Sequence, residues 1–147
     1  MSAPVLMVCT GNICRSPIAQ ALLERALPGI AVASAGTNAM VGQSADPLAV
    51  QLMDERGIDL RAHVASALTD DRIFDAGLIL TMTHAQSVWL KGSWPAAAGK
   101  VHRLGSHDGC DIVDPYRRTR FTFELAVSQI EHGISHWISA IRLLTRS

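Results

Sequence analysis

The chain has 147 residues, the length of one ordinary globular domain, and 48% of them are hydrophobic, which is enough for a buried core. Its 13 Lys and Arg residues balance its 13 Asp and Glu residues, and this balance argues against binding of nucleic acid or anionic lipid through overall charge. Its three cysteines cannot all pair within one chain, so a disulfide scaffold is excluded and a reducing, cytoplasmic location is predicted.

The sequence predicts neither a targeting segment nor a membrane span. A secretory signal carries positive charge ahead of its apolar stretch, but the first basic residue of this chain is Arg15. The longest uncharged stretch, residues 26–45, is interrupted by glycine, proline and hydroxyl residues, and this pattern is typical of loop and strand. We therefore expect a single domain over residues 1–147.

The N-terminal third predicts a strand, a helix and a second strand. Residues 5–8 are a short apolar run suited to a buried parallel strand. Ser16 and Pro17 predict the N-cap and first turn of a helix that runs to about Ala26. Residues 30–33 predict the second strand.

The rest of the chain continues this alternation. Asp46 and Pro47 predict the start of a helix that ends at Gly57. A strand at 78–80, a helix at 85–90 and a strand at 101–104 follow. The last predicted element is a long amphipathic helix, whose apolar face consists of Ile130, Ile134, Trp137, Ile138, Ile141 and Leu144. The pattern predicts the α/β class: a four-stranded, mostly parallel sheet with helices on both faces. Ligands of such sheets bind beyond the carboxyl ends of the strands, so the loop after the first strand is the candidate site.

That loop predicts a phosphate-binding site. It consists of Cys9, Thr10, Gly11, Asn12, Ile13, Cys14, Arg15 and Ser16. A strand, a tight turn and a helix N-terminus together hold phosphate through backbone N–H groups and the helix dipole. The loop of residues 9–16 is not a Walker loop, because no Gly-Lys-Ser/Thr sequence follows.

A cysteine and an arginine in this loop predict covalent chemistry on phosphorus. Cysteine reacts as the thiolate, and a helix N-terminus beside Arg15 favours the thiolate of Cys9. Arg15 can hold two phosphoryl oxygens and stabilise the group in transfer. These features suit a phospho-cysteine intermediate. A cysteine that ends a buried strand is otherwise just a small apolar residue, so the spacing alone is weak evidence.

Residues 8–17 resemble the signature loop of the low-molecular-weight protein tyrosine phosphatases. The resemblance covers essentially the whole chain, through residues 34–37, His63 and residues 114–116. It is closest to the bacterial branch associated with exopolysaccharide tyrosine kinases. It implies a Rossmann-like phosphatase fold and hydrolysis of protein phosphotyrosine, a reaction that requires no metal or organic cofactor.

The resemblance assigns the proton donor to Asp114. Departure of tyrosine requires protonation of a phenolate whose conjugate acid has a pKa of about 10. Asp114 then acts as the general base for the water that attacks phospho-Cys9. Pro115 favours an extended backbone at Asp114, although Asp-Pro also commonly starts a turn. Only the resemblance brings Asp114 and Cys9 together.

The resemblance also implies two pocket walls and a supporting network. Tyr116 would flank the phenyl ring of the substrate, with Met40 on the opposite wall where relatives often have an aromatic residue. Arg117 stands where many relatives carry a second tyrosine. The network that holds the loop open and stabilises the thiolate consists of Asn12, Ser16, Ser34 and His63. Taken singly, a residue of each of these types is more often a cap or surface group.

Cys14 is expected, by the same resemblance, to trap oxidised Cys9 as a reversible disulfide. The alternative is a plain buried thiol.

Four other functions compete with phosphotyrosine hydrolysis. Thioredoxin-coupled arsenate reduction needs a second downstream cysteine beyond Cys110, which the chain lacks. Protein arginine phosphatases have Thr where this chain has Ile13, and a β-branched apolar residue favours a phenyl ring over a guanidinium. A non-catalytic phosphate-binding module needs neither nucleophile nor acid. A metal site would use His102, His107 and Cys110.

The expected partner is a phosphotyrosine protein, either a bacterial tyrosine kinase or an exopolysaccharide-synthesis protein. No nucleic-acid partner is expected. A neutral net charge and few exposed apolar residues predict a monomer.

Overall fold

The computed structural model describes residues 4–145, in which four strands alternate with five α-helices. The strands are β1 (Val5–Cys9), β2 (Val32–Gly36), β3 (Leu78–Thr81) and β4 (Val101–Arg103). The helices are α1 (Arg15–Ala26), α2 (Pro47–Asp54), α3 (Asp70–Asp75), α4 (His84–Ser93) and α5 (Arg120–Thr145). Two short 3-10 helices, Pro95–Lys100 and Ser106–Asp108, complete the order. Within 4–145 we find no helix with the length and hydropathy of a membrane span.

The four strands form one sheet in the order β2-β1-β3-β4, and every neighbouring pair is parallel. The predicted four-stranded α/β sheet is confirmed, and it is wholly rather than mostly parallel. The chain passes from β1 to β2 on one side and later places β3 on the other side of β1. The strand order therefore reverses beside β1, the position at which such sheets bind ligands.

Strand β1 is buried on both faces because helices cover each side of the sheet. Val5, Met7 and Cys9 belong to the core cluster that includes residues of α1 and α5. Leu6 and Val8 belong to a second cluster with residues of α3 and α4. Alternate side chains of a strand point to opposite faces, so a strand between two helical layers must be apolar throughout.

Two predicted element starts are wrong. The second strand begins at Val32 and not at Ile30, and it runs to Gly36, which pairs with Cys9. Residues 34–36 therefore belong to the strand rather than to a loop after it. Helix α1 begins at Arg15, so Ser16 lies in its first turn and is not the N-cap.

The start of α2 is confirmed in detail. The Asp46 carboxylate accepts a hydrogen bond of 2.9 Å from the Leu48 N–H, as an N-cap should. The helix ends at Asp54, earlier than predicted, and Gly57 closes the following turn with φ of +75°. Helix α3 was not predicted, because six residues are too few for an amphipathic pattern.

Gly36 brings the β2 loop against the loop after β1. A Cβ at Gly36 would overlap the carbonyl oxygen of Thr10. Only glycine fits at position 36, because the backbone of Thr10 comes so close to it. This close contact fixes the position of one wall of the candidate site.

One premise of the monomer prediction is wrong. Large hydrophobic side chains are exposed at ten of the positions that the structure describes: Val41, Val64, Phe74, Val88, Trp89, Tyr116, Phe121, Leu125, Leu143 and Leu144. A monomeric state therefore remains a prediction, and the neutral net charge of the chain is its one remaining support.

Candidate active site

A cleft of about 290 Å³ opens at the carboxyl end of β1, at the small end of the range for pockets that hold small molecules. It brings together side chains that lie far apart in the sequence. Its lining consists of Cys9, Thr10, Gly11, Ile13, Cys14, Arg15, Asn38, Met40, Asp114 and Tyr116. All of these except Asn38 were predicted site residues. Asn38 follows the tight approach at Gly36, and nothing in its sequence context distinguishes it from an ordinary loop residue.

The loop after β1 directs its carbonyl groups outward. The carbonyls of Cys9, Thr10, Gly11 and Ile13 accept hydrogen bonds of 2.8–3.0 Å from the backbone N–H groups of Thr37, Asn38, Met40 and Asp46. Across a trans peptide the C=O and the following N–H point in opposite directions. The N–H groups of the loop therefore point inward, the arrangement that binds a phosphoryl group.

Asn12 holds the shape of this loop. Its backbone is left-handed, with φ of +59°, and its side chain is fully buried. The Asn12 Nδ2 group donates to Ser16 Oγ at 2.8 Å and to Ser34 Oγ at 3.0 Å, while Oδ1 accepts from the Ser66 N–H at 2.9 Å. His63 Nε2 donates to the Asn12 carbonyl at 2.7 Å. The structure thus places the four predicted network residues in contact and adds Ser66.

The Cys9 sulfur lies within hydrogen-bond distance of two donors of the loop and the first turn of α1. Cys9 Sγ lies 2.9 Å from Ser16 Oγ and accepts from the Asn12 N–H at 3.3 Å. Ser16 Oγ already accepts from the Asn12 amide, so its own proton is free to point at the sulfur. The N-terminus of α1 adds a positive partial charge on the same side.

Arg15 links the loop of Cys9 to the segment that carries Asp114. The Arg15 side chain is 4% exposed, and its Nη1 donates to the Ile112 carbonyl at 3.0 Å. Its Nη2 forms an ion pair of 3.6 Å with Asp114 Oδ2. Guanidinium carries five donors, so these two contacts leave others for a phosphoryl group.

Asp114 itself lies at the mouth of the cleft. Its side chain is 57% exposed, and its Oδ1 accepts from the Tyr116 N–H at 3.1 Å. The Arg117 guanidinium lies 5.4 Å from the centroid of the Tyr116 ring, within the range of a cation–π contact. The carboxylate is thus accessible to a leaving group while its backbone is fixed by a local turn.

Cys14 is a poor nucleophile in this environment. Burial raises the pKa of the Cys14 thiol far above its ordinary value, and the nearby Asp46, Cys9 and Asp114 raise it further against a smaller opposing effect of Arg15. Cys14 therefore stays protonated at neutral pH and does not compete with Cys9. Its disulfide with oxidised Cys9 stays a prediction.

The alternative prediction of a metal site at His102, His107 and Cys110 is wrong. His102, His107 and Cys110 do not converge as ligands in the part of the chain that the structure describes. The rings of His102 and His107 instead pack against Trp137, with centroids at 5.4 Å and 5.1 Å.

Comparisons with known proteins agree with this geometry. The family model "Low molecular weight phosphotyrosine protein phosphatase" matches residues 4–145. A probable low molecular weight protein-tyrosine-phosphatase of Ralstonia nicotianae, EpsP, is 46% identical over 144 residues, which are 98% of this chain and 99% of the relative. The crystal structure of the Erwinia amylovora tyrosine phosphatase AmsI superposes with a TM-score of 0.88 at 40% identity, covering 95% of this chain and 93% of that one. The arginine phosphatase YwlE of Geobacillus stearothermophilus has a TM-score of 0.87 at 32% identity, covering 98% and 97% of the two chains.

Proposed function

This chain belongs to the low molecular weight phosphotyrosine protein phosphatase family and is an enzyme of that class, and on this premise we propose that Cys9, Arg15 and Asp114 carry its chemistry. The observation that carries the proposal is the position of Arg15. Its guanidinium, in the first turn after the Cys9 loop, also pairs with Asp114 at the mouth of the cleft. A phosphoryl group bound by Arg15 therefore lies between a nucleophile and a proton donor.

In the first step the Cys9 thiolate attacks phosphorus. The S–P bond forms as the bond from phosphorus to the tyrosine oxygen breaks. Asp114, in its protonated form, gives its proton to the departing phenolate oxygen. The inward N–H groups of the loop and the Arg15 guanidinium stabilise the equatorial phosphoryl oxygens, whose charge is spread over the transition state.

In the second step water attacks phospho-Cys9. Asp114, now a carboxylate, takes a proton from the water as the new P–O bond forms and the S–P bond breaks. The electron pair returns to sulfur as the thiolate, which the Ser16 hydroxyl and the Asn12 N–H stabilise. Inorganic phosphate then leaves, and Asp114 is protonated again for the next turnover.

The walls of the cleft favour an aromatic substrate. Tyr116 and Met40 line it above the loop, and Ile13 adds an apolar surface near the phosphate position. A phenyl ring packs against such a lining, whereas a guanidinium would place its N–H groups against the apolar side chain of Ile13, which offers them no acceptor. We therefore propose phosphotyrosine rather than phosphoarginine as the substrate.

Replacing Ile13 by Thr tests this substrate assignment. We expect the wild type to release phosphate from a phosphotyrosine peptide much faster than from a phosphoarginine peptide. The Thr variant should raise kcat/KM on the phosphoarginine peptide by about tenfold or more, because its hydroxyl supplies a hydrogen-bond acceptor. The measurement is phosphate release from both peptides, with a chelator present.

Ile13→Val is the matched control, since Val has the shape of Thr without the hydroxyl. It should leave phosphoarginine turnover at the wild-type level. Equal rates for the Val and Thr variants would overturn the role of Ile13. Release from the phosphoarginine peptide alone by the wild type would retain the mechanism and change the substrate.

We further propose a single phosphatase domain that acts in the cytoplasm on a phosphotyrosine protein, with a bacterial tyrosine kinase or an exopolysaccharide-synthesis protein as partner. The family match over residues 4–145 supports one domain. All three cysteines are free, which suits a reducing compartment. The resemblance of the segment at 114–117 to the bacterial branch supports the partner class.

A further inference from the structure

Three side chains with metal-binding groups meet outside the cleft. Asp108 ends the 3-10 helix Ser106–Asp108, while His132 and His136 lie on α5. Their ligand atoms all lie within 4.8 Å of one another, and among residues 4–145 no other three His, Cys, Asp or Glu side chains converge in this way. None of the three lines the candidate active site.

The distances within this cluster match those of a metal site. His132 Nε2 lies 3.2 Å and His136 Nε2 lies 3.4 Å from the same oxygen, Asp108 Oδ1. Nitrogen and oxygen ligands at about 2.0–2.2 Å from a tetrahedral Zn²⁺ lie about 3.3–3.6 Å from one another. Two edges of the cluster therefore already have nearly the length required, and the third, between the two imidazoles, is no longer than 4.8 Å.

The helix geometry places the two imidazoles together. Residues four apart on a helix lie one above the other on the same face, so His132 and His136 present their rings to one point. The Asp108 carboxylate adds an anionic ligand to the two imidazoles, and a divalent cation is attracted to it. Two imidazoles and one carboxylate form a ligand set suited to Zn²⁺ and poorly suited to Mg²⁺ or Ca²⁺.

Neighbouring rings restrict the orientation of the ligands. The His107 ring stacks on His136 with centroids 5.3 Å apart and planes 20° apart. The His132 ring meets His136 edge-on, with centroids 4.9 Å apart. His107 in turn packs edge-on against Trp137. A ring held on two sides loses little rotational freedom when a metal binds.

The backbone on both sides of the cluster is also fixed. A Cβ at Gly133 would lie only 3.0 Å from atoms of Leu104, so α5 approaches this segment closely. Trp137 Nε1 donates to the Leu104 carbonyl at 3.0 Å, and the Asp108 N–H donates to the Gly105 carbonyl at 3.1 Å. Asp108 and the two histidines are thus carried by segments that are already tied together.

We propose that Asp108, His132 and His136 bind one Zn²⁺ or a similar divalent transition metal, with water as the fourth ligand. The metal joins the 3-10 helix to α5 and takes no part in the chemistry at Cys9. Because it binds the folded chain, it raises the melting temperature. The proposal does not depend on the phosphatase function.

Calorimetric titration with Zn²⁺ tests the site directly. The parent protein is the Cys9→Ser variant, treated with chelator and then freed of it, since Cys9→Ser removes the thiolate as a competing ligand. We expect one Zn²⁺ per chain. His132→Ala, His136→Ala and Asp108→Asn should each raise the Kd by about tenfold or more. His84→Ala, an exposed histidine at the start of α4, is the matched control and should leave the Kd unchanged.

Thermal unfolding provides the second readout. Zn²⁺ should raise the Tm of the parent and of His84→Ala, but not of His132→Ala or His132→Gln, whose Tm without metal should equal that of the parent because His132 is mostly exposed. Absence of binding at millimolar Zn²⁺ would overturn the proposal. Binding that is equally tight in the His132 and His136 variants would also overturn it.

Discussion

Replacing Cys9 by Ser is expected to abolish turnover while phosphate still binds. A serine hydroxyl is not ionised at neutral pH, so the attack on phosphorus loses its nucleophile, and kcat should fall by about 10⁴-fold or more. In the proposed mechanism the inward N–H groups and Arg15 hold the phosphate, and the contacts that position them do not involve the sulfur. Phosphate release measures the first effect, and calorimetric titration with inorganic phosphate measures the second.

Cys110→Ser is the control for this substitution. Cys110 is a free thiol that does not line the cleft, so its replacement should leave kcat unchanged. Turnover by Cys9→Ser within tenfold of the wild type would rule out a covalent route through Cys9. Loss of phosphate binding would show instead that the serine disturbs the loop.

Replacing Asp114 by Asn is expected to harm substrates with poor leaving groups most. Tyrosine leaves with a conjugate acid of pKa about 10 and needs the proton, whereas p-nitrophenolate leaves readily without one. The kcat/KM for a phosphotyrosine peptide should fall by about 10²–10³-fold. The fall for p-nitrophenyl phosphate should be much smaller. Comparing kcat/KM isolates the first step, because this ratio does not report hydrolysis of the phosphoenzyme.

Asp111→Asn is the control for Asp114→Asn. Asp111 is an exposed carboxylate three residues away that pairs with Arg103 at 2.9 Å and does not line the cleft. It should leave both ratios near the wild-type values. Equal losses on the two substrates in Asp114→Asn would contradict the role of Asp114 as the acid and would point to its ion pair with Arg15.

The sequence places Cys9 and Arg15 side by side because both belong to one local unit of the chain. Cys9 and Arg15 belong to one strand–loop–helix unit, and burial of β1 on both faces follows from its unbroken apolar run. Asp114 and Tyr116 come from a different part of the chain, and only the family resemblance assigned them. The N-cap prediction at Ser16 failed because its hydroxyl bonds the Cys9 sulfur instead of the helix backbone.

Other features depend on the three-dimensional arrangement and leave little trace in the sequence. The start of β2 is set by pairing with β1, and the small residues at 34–36 (Ser, Ala and Gly) do not form a recognisable strand pattern. Ser66 reaches Asn12 through a backbone N–H, which any residue type could supply. Asp108 meets His132 and His136 only because α5 packs against the 3-10 helix, so sequence spacing could not identify this cluster.

The phosphoenzyme itself is the most direct test of the account. In Asp114→Asn the base for the second step is missing, so p-nitrophenyl phosphate should phosphorylate the enzyme faster than water removes the group. After a denaturing quench, mass spectrometry with fragmentation between Cys9 and Cys14 locates the added phosphoryl group. We predict that it lies on Cys9. Its presence on another residue, or continued turnover with no phosphoenzyme at any time, would contradict catalysis through phospho-Cys9.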